Sequence, residues 1–123
     1  MVYLVIGIGG VLGANARYLV SGWAANKFGT AFPYGTLIIN VSGSMILGLL
    51  MAFLQDRVFV HPNYRLFFAT GFCGAYTTFS TFTYESLVLI QNGSFLLALT
   101  NLIGSLAVGM IGVFLGFALG RII

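Results

Sequence analysis

The chain has 123 residues, of which 59% are hydrophobic and only 6% are charged, with a formal net charge of +3. Such a balance excludes a soluble globular domain, and the strongly positive mean hydropathy points to an all-α integral membrane protein. The five basic residues are scattered along the chain and form no patch, so the positive charge does not imply nucleic acid as a partner. The length is that of a single transmembrane domain covering 1–123.

The charged residues are Arg17, Lys27, Asp56, Arg57, Arg65, Glu85 and Arg121, and they cut the chain into long uncharged runs. A membrane-crossing helix needs about 20 mainly apolar residues. Four transmembrane helices are therefore expected, roughly at 2–24, 33–55, 64–90 and 95–120. The first has no basic residue before its apolar run and carries Arg17 near its far end, which fits a mature helix rather than a signal peptide. Its Gly9 and Gly13 lie four apart, a spacing that makes a flat stripe where helix backbones approach closely.

After the turn "NKFGTAFP", the second span carries Asn40, Ser42 and Ser44 at membrane depth. The loop "QDRVFVHPN" holds His61, the only histidine, so no nucleophile–base pair exists and an enzyme is not expected. Cys73 stands alone in the third span, which rules out an intrachain disulfide and suits a small buried residue. Past "QNGS", the fourth span places Thr100, Asn101 and Ser105 before a second glycine stripe of Gly112, Gly116 and Gly120. With both termini on one side, that side holds Arg57, Arg65 and Arg121 against Lys27 and Arg17 on the other. So weak a bias fits either one orientation set by other factors or insertion in both, with copies pairing antiparallel.

The third span is the informative one. Over Gly71–Glu85, "GFCGAYTTFSTFTYE", seven of fifteen side chains carry a hydroxyl, a concentration beyond the isolated Ser or Thr that serves as interhelical glue. Gly71, Gly74 and Ala75 give little side-chain cover and Thr77–Thr78 is a β-branched pair, so a break near 74–78 is expected. Freed backbone groups are tolerable in a membrane only beside a cavity or an ion. If the helix resumes at once, Phe79, Phe82 and Thr83 share one face and Thr77, Thr81 and Glu85 the other. Two phenylalanine rings edge-on to a narrow path favour an anion, and face-on a cation; as packed core they would favour neither.

"GFCGAYTTFSTF" closely resembles the signature of the Fluc/CrcB fluoride channels, and "GANARY", "PYGTLIINVSGS", Glu85 and the looser "NLIGSL" occur in the same order over the whole length. The resemblance implies a dual-topology antiparallel homodimer in a bacterial inner membrane, with two fluoride pores and a sodium ion at the interface. It places the sodium ligands on the backbone carbonyls of Gly74 and Thr77. It assigns the pore to Asn40, Phe79 and Phe82, with a polar track of Ser80, Thr81 and Ser105. Arg17 and Glu85 take vestibule or structural roles. The implied function is passive export of fluoride to relieve its toxicity. The alternative is a small proton-coupled multidrug exporter of dual topology, which wants an acid in the first span where this chain has Arg17.

Overall fold

The structure is a computed structural model that describes residues 1–55 and 57–123; Asp56, one of the two acids in the sequence, lies outside the described residues. The described residues are helical almost throughout. Helix α1 runs over Val2–Phe28 and α2 over Tyr34–Gln55. Helix α3 covers 62–76, α4 covers Phe79–Gln91, and α5 covers Phe95–Ile122. Three of them, α1, α2 and α5, are long and apolar enough to cross a membrane. At about 1.5 Å per residue, α3 and α4 each fall well short of the ~30 Å hydrocarbon layer.

Local chemistry sets the ends. Gly29 closes α1 at φ 78° and Gly93 turns the chain between α4 and α5 at φ 77°, both in the left-handed region that glycine enters without strain. Pro62 opens α3, where its missing N–H costs nothing, and His61 Nδ1 accepts from the Asn63 N–H at 3.2 Å. Within α3 the stretch Leu66–Cys73 widens to a π-helix, as does Thr100–Gly104 within α5. Neither widening carries a sequence signature that pattern reading detects.

The two glycine stripes are where helices meet. A Cβ on Gly9 would run into the Phe67 carbonyl oxygen and one on Gly13 into that of Phe72, so α1 lies directly on the backbone of α3. In the same way Gly116 and Gly120 face the carbonyls of Met45 and Leu49, pressing α5 onto α2. Close backbone approach of this kind supplies the packing contacts that hold helices together where lipid removes any hydrophobic drive.

The interior is small and partly polar while the exterior is apolar. Among the most buried residues, Ala24, Ala52, Cys73 and Ala98 stand beside Thr36, Thr78, Ser86 and Asn101, whereas Tyr3, Leu19, Leu106 and Phe114 point outward. That inversion suits a lipid solvent. Trp23, Phe28, Phe32 and Tyr34 gather where α1 passes to α2, with Lys27 Nζ 5.4 Å from the Trp23 ring centre. The cluster is the aromatic and basic girdle expected at a headgroup layer.

Candidate functional site

The expected break is present at Thr77–Thr78. Thr77 has φ −77°, ψ 157° and Thr78 φ −151°, ψ 122°, so two extended residues separate α3 from α4. The same Thr78 restarts the helix, its hydroxyl accepting from the Thr81 N–H at 3.2 Å as an N-cap. The Thr77 hydroxyl turns back to donate to the Cys73 carbonyl at 2.9 Å. Thr77 therefore does not share a face of α4 with Thr81 and Glu85. The sequence pattern continued a helical phase through a residue that is extended.

Three neighbouring residues of α2 cradle the break. Asn40 pairs with the backbone of Thr78 in both senses: the Thr78 N–H donates to Asn40 Oδ1 at 2.9 Å, and Asn40 Nδ2 donates to the Thr78 carbonyl at 3.0 Å. Its side-chain amide stands in for a strand partner and leaves one N–H to spare. Ser42 Oγ and the buried Tyr76 hydroxyl lie 2.9 Å apart. Gly43 makes room, because a Cβ there would overlap Thr77 Cγ2 and come within 3.2 Å of the Tyr76 ring. Neither the Ser42–Tyr76 pair nor the need for glycine at 43 was legible in sequence, since both depend on how α2 crosses α3.

A cleft of about 490 Å³ opens along this cradle and is lined by Asn40, Gly74, Thr77, Phe79, Phe82 and Ser105 among others. It unites six of the residues that the resemblance assigned to the pore and the sodium ion. The Phe79 and Phe82 rings lie 6.0 Å apart and tilted by 48°, and Phe79 is exposed. Thr81 is elsewhere: with Arg17, Thr36 and Thr78 it lines a second concavity of about 400 Å³ on the α1 side. Ser80 is exposed, its hydroxyl 3.3 Å from that of Thr78.

Glu85 belongs to a third cavity, of about 590 Å³, under the α1–α2 turn with Tyr34, Thr36 and Tyr84. The Thr36 hydroxyl donates to Glu85 Oε1 at 2.9 Å, while Oε2 is buried and without a hydrogen-bond partner among the described residues. Behind the first cleft, the buried Asn101 and Ser86 tie α5 to α4 through a hydrogen bond of 2.9 Å. Asn101 was legible as a polar residue within a span, but its partner was not.

Helices packed through glycine stripes, an apolar exterior and a broken helix beside a polar cleft define a helical membrane protein that provides a path for a small solute. The particular family emerges from comparison: residues 4–117 match the model of the CrcB-like protein, Camphor Resistance (CrcB) family, and the chain belongs to it. Relatives named fluoride-specific ion channel FluC include one from Koribacter versatilis, 50% identical over 84% of this chain and 82% of its own length. Another, from Chloroflexus aurantiacus, is 46% identical over 96% of this chain and 94% of its own. A third, from Clostridium perfringens, is 44% identical over 98% and 94% respectively.

Proposed function

We propose that this protein is a fluoride-selective passive channel that exports fluoride and so relieves its toxicity. The family supplies the class, and one observation carries the reading to these residues: Asn40, Phe79, Phe82 and Ser105 share one cleft beside a helix break. Fluoride is small and strongly hydrated, so a path for it must replace water with donors and positive ring edges. The spare Asn40 N–H and the ring pair meet that need, with Ser80 and, in the concavity on the α1 side, Thr81 extending the polar track. No reaction or nucleotide is required, because a membrane potential drives an anion outward by about 2.3 kcal/mol per 100 mV. The protein is accordingly a channel and not an enzyme.

The pore is completed by a second copy. Gly74, Ser80 and Thr81 are exposed on a single chain, and polar groups and irregular backbone at membrane depth need cover other than lipid. In this reading α3 and α4 together make the fourth crossing, and two chains inserted in opposite senses pair about a twofold axis in a bacterial inner membrane. A sodium ion at that axis fits the backbone. The α-helical partner of the Gly74 carbonyl would be the Thr78 N–H, which goes to Asn40, and that of the Thr77 carbonyl would be the Thr81 N–H, which goes to the Thr78 hydroxyl. Both carbonyls are thereby released to a cation, which would contribute fixed positive charge near the anion path. Arg17, beside Thr81, adds positive potential at a vestibule, and Glu85 lies toward the α1–α2 end. A proton-coupled multidrug exporter is not favoured, since α1 carries Arg17 and no acid.

Fluoride efflux from liposomes holding the purified protein tests the reading, followed with a fluoride electrode after a potassium ionophore is added. Fast fluoride release with chloride retained is expected, and Phe82→Ile abolishes it. Retention of fluoride at ample protein loading would refute the channel.

A further inference from the structure

We propose that Asn101 is a positioning residue that sets fluoride-over-chloride selectivity by controlling which way the Ser105 hydroxyl points; the inference rests on the fluoride-channel reading. Asn101 is 1% exposed and Ser86 3% exposed, and neither lines the cleft. Their partners Ser105 and Phe82 do. Three hydrogen bonds run in a single direction between these groups. The Ser105 hydroxyl donates to Asn101 Oδ1 at 3.0 Å, Asn101 Nδ2 donates to Ser86 Oγ at 2.9 Å, and the Ser86 hydroxyl donates to the Phe82 carbonyl at 2.9 Å. The relay is anchored in the π-widened turn Thr100–Gly104, which carries Asn101 into the interior.

A serine hydroxyl has one proton and two lone pairs. With its proton on Asn101, Ser105 offers the cleft only lone pairs, which repel an anion. To donate to an ion, Ser105 must swing its proton away and leave Asn101 Oδ1 buried and unpaired, a penalised state. Asn101 cannot itself relax by turning, because its Nδ2 is committed to Ser86 and through Ser86 to the Phe82 backbone. An ion in the cleft must therefore compete with an amide oxygen for one proton. Fluoride, with its high charge density, is the stronger acceptor and wins that competition more readily than chloride.

The test is the ratio of fluoride to chloride efflux from liposomes for wild type, Asn101→Leu, Ser105→Ala and the double variant, with Ser86→Ala alongside. Asn101→Leu keeps the volume and removes the competing oxygen, so the ratio is expected to fall about tenfold, the scale of one hydrogen bond. Adding Ser105→Ala to it should leave the ratio of Ser105→Ala alone. Ser86→Ala, which frees the Asn101 amide to rotate, should lower the ratio in the same direction and decides the matter if Asn101→Leu does not yield folded protein. A role confined to packing would change the number of active channels and leave the ratio alone. Ratios within twofold of wild type in the folded variants would overturn the proposal while the channel stands. Absence of fluoride efflux from wild type would overturn the channel reading and the proposal with it.

Discussion

Replacing Asn40 by alanine removes both halves of the amide that spans the helix break. The Thr78 N–H loses its acceptor and the Thr78 carbonyl loses its donor, at a residue only 8% exposed. Each orphaned group costs about 1–3 kcal/mol, so the extended geometry loses about 2–6 kcal/mol of support if both stay dry. Hydrogen–deuterium exchange over residues 72–82 in detergent reads the first half directly. Loss of the N–H bond alone should speed exchange at Thr78 about five- to 150-fold. Fluoride efflux should fall at least about tenfold, since Gly74, Thr77 and Phe79 are all placed by the break. Asn40→Asp separates the halves: it keeps the acceptor for Thr78 N–H and loses the donor, so exchange stays slow while efflux still falls. Wild-type exchange at Thr78 together with wild-type efflux in Asn40→Ala would refute the claim that this amide holds the break.

Gly43→Ala puts a methyl group into Thr77 Cγ2 and against the Tyr76 ring, and is expected to cost about 1–3 kcal/mol in a thermal melt and to slow fluoride efflux. Gly22→Ala, with open space around it, is the matched control and should melt as wild type. Gly116→Leu drives a side chain into the Met45 carbonyl and should split α5 from α2, seen as loss of the monodisperse peak on size-exclusion chromatography. Thr36→Val removes the only hydrogen bond to the Glu85 carboxyl group among the described residues and should destabilise the protein by about 1–3 kcal/mol; in a Glu85→Leu background the same change should cost almost nothing.

The break was legible because its causes are local. Small residues precede it, two β-branched threonines occupy it, and Thr78 is a good N-cap for α4. The glycine stripes were legible for the same reason, since spacing alone puts Gly9 with Gly13 and Gly112 with Gly116 on one face. The support that holds the break open was hidden, because Asn40 and Thr78 are 38 residues apart and meet only through the packing of α2 on α3. The resemblance made Asn40 a pore residue; half of its side-chain hydrogen-bonding capacity is spent on the Thr78 backbone. The residues of the polar track line two concavities: Ser105 lines the cleft with Phe79 and Phe82, while Thr81 lines the other with Arg17. Periodicity does set Phe79 and Phe82 opposite Thr81 on α4, but it cannot show which of those faces Ser105 of α5 meets.

The π-widened turn in α5 bears on how a chain of this kind tolerates changes in length. A helix of ordinary pitch cannot gain or lose one residue without rotating everything downstream by about 100°. In α5 such a slip would turn Gly112, Gly116 and Gly120 away from α2 and present bulky neighbours to its backbone. A π turn already houses the equivalent of one extra residue, so a deletion within 100–104 relaxes to α pitch and leaves the downstream phase untouched. Alignment gaps among relatives should therefore cluster at this turn and spare 112–120, and a chain that loses the widening loses the placement of Asn101 along with it.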